Sequence, residues 1–436
     1  MKTRVLCSIA LLAASSPGFA ATPSVSDAEV NAIYPDIEKS YIDLHEHPEL
    51  SGHEERTAAK MAEGLRALGY EVTEHFGGTG VVGMIKNGPG PVVLLRTELD
   101  ALPVLEKTGL PYASKVVAHN DQNLEVPVMH ACGHDVHMSS WLGTARLLAT
   151  NKNRWSGTVL LIGQPAEETS GGAEGMLKAG LYTKFPKPNY AVAIHDDSDL
   201  PAGKVGYNTG YTTSNADSVS ITVYGKGGHG SAPHTGVDPI VIASRIVLTL
   251  QTLVSRETRP GDFAVVTVGS FHAGTKNNII PDEAKLLLTV RTYQSDVRTR
   301  LLGGIERIAK AEAEAAAAPK MPLVEHYEGA NAVYNNPEVA KRVVTAVGAR
   351  LGADNVVQTP PITASEDFSE FAHDGVPTFM MWVGATEPAT YDAVKKSGGR
   401  LPSLHSSTFA PDRERTLKTA IMAETTMMLS LLGTGK

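Results

Sequence analysis

Gly157-Thr158-Val159-Leu160-Leu161-Ile162-Gly163-Gln164-Pro165-Ala166-Glu167-Glu168 is a short apolar run that stops on two adjacent carboxylates. The apolar part is too short for a helix and is bounded by glycine, so it reads as a strand buried on both faces. The same texture recurs along the chain. Strand-like segments lie at 70–76, 80–86, 92–96 and 191–195, and helices at 27–47, 54–68 and 139–149. The second helix spaces Ala58, Met61, Ala62, Leu65 and Leu68 on one face and stops at Gly69. Helices alternating with short buried strands define an α/β fold, a mixed and largely parallel sheet flanked by helices.

The pattern breaks near Thr213. Ser218–Tyr224 alternates, a helix covers 238–255, strands cover 264–271 and 285–292, and an Ala/Glu-rich helix covers about 295–318. With a final strand this is a compact α+β insert. The expected organisation is therefore a catalytic domain in two segments, 21–212 and 328–436, interrupted by an inserted α+β domain at 213–327. A chain of 436 residues exceeds one ordinary core, which agrees with two domains.

Residues 1–20 read separately, as a secretory signal. Lys2 and Arg4 precede the apolar run Val5–Ala14, and small residues lead to Ala20. Export to the periplasm or medium is the expectation, and Cys7 would leave with the leader, so that Cys132 alone remains. A lone thiol forms no internal disulfide; it is either buried and inert or held as a ligand. With 42% hydrophobic and 20% charged residues, a formal charge of −8 and no basic stripe, nucleic acid is excluded as a partner. No apolar run beyond the leader reaches the roughly 18 residues of a bilayer span, so no membrane partner is expected.

Chemistry concentrates in His130-Ala131-Cys132-Gly133-His134-Asp135-Val136-His137. Cys132 and His134, two apart, project to one side if the backbone is extended. Thiolate and imidazole are first-row metal ligands, and the thiolate favours zinc, with Mn, Co or Ni as further occupants. His130 and His137 read as supporting residues. After the strand 158–162, Glu167 and Glu168 would project to opposite sides of extended backbone, one to a metal and one free to act as a base. His195 ends the apolar run 190–194, and His405 lies near the C-terminus. Cys132, His134, Glu168, His195 and His405 together exceed one tetrahedral site and suit two divalent ions sharing a bridge.

Other readings fall away. Gly78-Thr79-Gly80-Val81-Val82-Gly83 matches a dinucleotide fingerprint by letter, yet a strand end and a turn follow it where a helix is required. No Gly-x-Ser-x-Gly elbow follows a strand, and no His-Glu-x-x-His is present.

The order of the motifs Arg96–Pro103, His130–Asp135, Gln164–Glu168, Gly227–His234 and Ser365–Phe368 resembles the M20 metallopeptidase superfamily, in its aminoacylase, hippurate hydrolase and auxin-conjugate amidohydrolase branch. The resemblance spans about residues 35–430. It implies hydrolysis of an amide bond next to a free carboxylate, in an N-acyl amino acid or a peptide. It also implies that Cys132 bridges two metals and that Glu167 is the general base. The insert becomes a lid that forms a homodimer and sends His229 into the partner's active site, while Asn278 and Arg291 grip the substrate carboxylate. Three departures bear on tuning. Arg96-Thr97-Glu98 stands where the branch reads Arg-Ala-Asp, Asp196-Asp197 follow His195 in place of Val, and Ser407 replaces Pro. The alternative is a non-catalytic periplasmic binding protein on the same fold, which has no need of Glu167.

Overall fold

The computed structural model describes residues 24–435. The leader expected at residues 1–20 lies outside them. The large sheet runs in the order Glu71–Thr73, Val81–Asn87, Trp155–Gln164, Val92–Glu98, Tyr190–Pro201 and Thr378–Thr386, then Tyr334–Asn335 and Gly210–Tyr211. The four central strands are mutually parallel, and antiparallel strands close the edge at Val81–Asn87. Mixed and largely parallel is thus the architecture found.

Side-chain period explains why these strands sit in the middle. Leu95, Val159, Leu161, Val192 and Met381 point to one face, where the helices Asp27–Glu46, His134–Thr150 and Arg413–Leu431 pack. Leu94, Leu160, Ile162, Ala193 and Met380 point to the other, against Met176, Phe368 and Phe371. A strand apolar at every position has to be covered twice, and this one is. Register then fixes the site. Glu98 pairs with Gln164, Arg96 with Ala193 and Trp382 with His195, so Val92–Glu98 and Trp155–Gln164 end at the level of His195, while Tyr190–Pro201 and Thr378–Thr386 run on past it and leave His195 inside its strand.

Residues 215–330 build a separate core. Its antiparallel sheet has the order Ala264–Ala273, Glu283–Thr292, Asn215–Tyr224, Leu323–Ala330. The helices Pro239–Thr252 and Ser295–Ala315 cover one face through Ile242, Ile246, Leu250, Leu301 and Ile305. With its π-helical extension, the segment Pro239–Glu257 is long and apolar enough to cross a membrane. Its inner residues instead fill this core, and Leu253 is fully buried there.

Two local expectations were wrong. The helix placed at 139–149 starts at His134, because Gly133 adopts a left-handed φ of 78° that turns the chain into it. Cys132 and His134 therefore converge across a helix start, not along a strand. The Glu167–Glu168 pair likewise sits in a turn, entered through Ala166 at φ 50°.

Leu161 is fully buried at the sheet centre. Leu161→Ala should destabilise the protein by about 2–5 kcal/mol, seen as a lower urea midpoint. An unchanged midpoint would mean that the central strand is not a core element.

Candidate metal centre and active site

The five ligand candidates come from four stretches of chain and meet above the carboxyl ends of the central strands. Cys132 Sγ lies 3.5 Å from His195 Nε2 and 3.2 Å from His405 Nε2. His405 Nε2 is 3.4 Å from Glu168 Oε1, and His134 Nε2 is 4.0 Å from the same oxygen. Cys132 belongs to two candidate ligand groups, one with His134 and His195 and one with Glu168 and His405. Metal–sulfur and metal–nitrogen bonds of about 2.3 and 2.0–2.1 Å set two tetrahedral ligands about 3.5 Å apart. The observed separations match that spacing.

The donor set fits metal on chemical grounds too. His134 Nδ1 faces the Asp100 carbonyl at 2.8 Å and His195 Nδ1 faces the Asp196 carbonyl at 2.8 Å. Each ring can donate there and turn its Nε2 lone pair inward. His134 Nε2 and Glu168 Oε1 are buried with no hydrogen-bond partner among the described residues. Such orphaned atoms are costly unless something charged takes them up. Charge tells the same story. Burial lowers the affinity of His134 for a proton, yet the Asp100 contact and the Glu98 charge outweigh it and push its pKa up to about 10. Burial pushes the Cys132 thiol well up, with Glu168 and Glu167 adding to it. The cluster has more negative than positive charge, and a divalent cation would displace these protons.

Glu167 stands beside this set, with its Oε2 3.9 Å from His134 Nε2. Burial raises its carboxyl well above the usual range; Glu366 and Glu168 add to the shift and Arg96 opposes it. A cavity of about 500 Å³ opens here, lined by Cys132, Glu167, Glu168, His195, His405 and Arg291. Arg291 reaches it from the open face of the smaller sheet, opposite the helices. His229 and Asn278 are not brought to this cavity within one chain. Both lie at a separate two-stranded ribbon, where His229 pairs with Ile279, Gly230 N–H donates to the Asn278 carbonyl and His229 is exposed.

A buried scaffold holds the ligands. Asp100 Oδ2 accepts from Ser51 Oγ at 2.7 Å and from Glu168 N–H at 3.0 Å, so one carboxylate steadies both His134 and Glu168. Glu54 accepts from Gly52 N–H, Ala166 N–H and Thr79 Oγ1, which clamps the turn carrying Glu167. The sequence reading assigned no role to Glu54 or Asp100, since nothing in their spacing points to 166 or 134. Arg96 is fully buried and bonds Glu98, Glu366, Asp367 and Gln164. His137 joins Glu98 Oε2 at 3.0 Å through Nδ1 and accepts Asp196 N–H at 2.9 Å on Nε2. Two of the departures, Glu98 and Asp196, thus meet at one histidine. Gly133 completes the fit, because a Cβ there would overlap the Asp196 carboxylate. The third departure, Ser407, accepts Lys107 N–H through its carbonyl. His130 is buried with neither ring nitrogen partnered among the described residues, and burial lowers its pKa to about 4.

A thiolate, imidazole and carboxylate set beside a protected carboxyl, in an α/β crevice, defines a metal-dependent hydrolase of amide bonds. The family model described as peptidase family M20/M25/M40 matches residues 94–396, and the chain belongs to that family. It is 37% identical to thermostable carboxypeptidase 1 of Saccharolobus solfataricus over 376 residues, 85% of this chain and 89% of that one. It is 38% identical to hippurate hydrolase of Campylobacter jejuni over 352 residues, 79% and 86% of the two chains. A crystal structure from Bacillus subtilis, described as a dinuclear metal-binding peptidase of family M20, superposes with a TM-score of 0.75 at 31% identity and covers 93% of this chain and 99% of that one. The protein is a metallo-amidohydrolase, and the binding-protein alternative is set aside.

His137→Gln removes the link between Glu98 and Asp196, and the ring that packs against His195 at 4.6 Å, while all five ligand candidates keep their identity. Supporting residues of this kind are worth about 10–100-fold in metal affinity, so a chelator-competition titration should show a loss of that size. Unchanged affinity would show that the network does not support the ligands.

Proposed function

We propose that the enzyme hydrolyses the amide bond of N-acyl amino acids or small peptides next to a free carboxylate. The observation that carries this reading is the cavity itself, with buried Glu167 beside the donor set and Arg291 on the facing wall. Two divalent ions held by Cys132, His134, Glu168, His195 and His405, with Cys132 shared, would polarise the scissile carbonyl and make water acidic. Zinc is the favoured occupant because of the thiolate, with Mn, Co or Ni as alternatives.

Glu167 takes the proton of the attacking water as its oxygen bonds to the amide carbon. The C–N bond then breaks, and Glu167 returns the proton to the leaving amine. Its raised proton affinity suits both halves of that exchange. Arg291 pairs with the substrate carboxylate, bidentately where geometry allows. Asn278 is a second carboxylate contact in this reading, and His229 supplies an oxyanion donor. Because neither lines the cavity of its own chain, both are assigned to a partner subunit. A homodimer through the insert is supported by exposed Val241 and Leu248 on its helix and by the edge strand Ala264–Ala273. The leader-like residues 1–20 add export to the reading.

Chelation should abolish hydrolysis of N-acyl amino acids and added divalent metal should restore it. Full activity in protein shown by elemental analysis to be metal-free would end the reading. Glu167→Gln should keep its metal and lose about 100-fold or more in rate, whereas Glu168→Gln should lose metal as well. Equal metal content in the two variants would reverse or remove the assignment within the pair. Mixed with His229→Ala under subunit exchange, Glu167→Gln should recover roughly a quarter of wild-type activity if His229 acts across the dimer. No recovery despite exchange would place His229 outside the chemistry.

A further inference from the structure

A second hollow of about 350 Å³ adjoins the reaction cavity and shares Glu168 with it as a lining residue. Leu50, Ala101, Leu102 and Pro103 supply its apolar lining. Its far wall is the tip, Asn120–Gln122, of a hairpin with strands Val117–His119 and Glu125–Pro127. The hairpin is built in, not draped over. Val116, Ala118 and Val126 pack on Leu50, Ala101 and Val128 at its root. The tip is a self-bonded turn, since Asn120 Oδ1 accepts from Gln122 N–H at 3.1 Å and Leu124 N–H at 3.0 Å. Asp121 Oδ1 then meets His53 Nε2 at 3.3 Å, which carries the tip across to the loop after the first helix.

We infer that this hollow is the acyl-side subsite, and that it selects neutral apolar acyl groups of branched-chain or aryl size. The inference rests on the reading above. If Arg291 holds the carboxylate of the amino-acid half, the scissile bond lies at the donor set, and the other half of the substrate leaves past Glu168 into the hollow. Ser51, which also lines the hollow, bonds the same Asp100 that steadies Glu168, so the subsite is tied to the metal-ligand turn. The carbon-lined floor gains by burying methylenes, about fourfold in kcat/KM for each. Asp121 at the rim is acidic, so an acyl group ending in a carboxylate is repelled while His53, 3.3 Å from it, is neutral.

The test uses the metal-loaded enzyme and N-acyl derivatives of a single amino acid, from acetyl to hexanoyl, with benzoyl and succinyl added. kcat/KM should rise about fourfold per methylene until the hollow is full, and succinyl should fall below its neutral counterpart butyryl. Leu102→Trp, which fills the hollow, should lower hexanoyl and benzoyl far more than acetyl. Asp121→Lys, a substitution on an exposed turn, should raise the succinyl-to-butyryl ratio. Acetyl hydrolysis with no dependence on acyl length, an equal loss for all acyl groups in Leu102→Trp, or an unmoved ratio in Asp121→Lys would overturn the subsite and leave the amidohydrolase reading standing. If no N-acyl amino acid is cleaved, both fall together.

Discussion

Buried negative charge without enough positive charge beside it is the constraint on which this structure depends. Glu98, Asp100, Glu167, Asp196, Glu366 and Asp367 are all buried within reach of the donor set, and Arg96 is the fully buried arginine that answers some of them. Desolvated carboxylates are expensive unless paired or coordinated to metal. The rest of the site reads as a response. Histidines stand between carboxylates, backbone N–H groups point at Asp100 and Glu54, and a central cluster of inward-facing atoms is left for a cation. Burial, with the charges of Glu366 and Glu168 adding to it, raises the proton affinity of Glu167, the property that a base returning its proton to an amine requires.

The fold serves that centre by register. Strands apolar on both faces are held between two helical layers, and the carboxyl ends of Val92–Glu98 and Trp155–Gln164 stop level with His195. Loops leaving those ends deliver Glu167 and Glu168, while His195 arrives on its own strand beside Trp382. The smaller sheet adds Arg291 from its open face. What differs from the related branch is concentrated behind the ligands. Glu98 and Asp196 both touch His137, so two unusual letters far apart in sequence form one local adjustment.

The candidate ligands could be picked out of the chain because thiol, imidazole and carboxylate carry their chemistry in their letters, and folding brings the five side chains together. The sheet was legible for a similar reason, since apolar runs of strand length have few other uses. Local geometry was not. Nothing in the letters says that Gly133 turns left-handed and starts a helix at His134, or that Ala166 does the same before the glutamate pair. The supports were also hidden. Glu54 and Asp100 are ordinary acidic residues until folding brings them to the backbone of Ala166 and Glu168. His229 and Asn278 show the opposite case, for their motif is plain in sequence while a single chain leaves them on a ribbon apart from the cavity.

The central claim is that one thiolate is shared between two ions in this cluster. Crystals of the metal-loaded enzyme, measured at the absorption edge of the bound metal, test it most directly. The account predicts two anomalous peaks, each about 2.3 Å from Cys132 Sγ, one on the side of His195 and the other beside Glu168. A single peak, or peaks that leave Cys132 outside bonding distance, would contradict it.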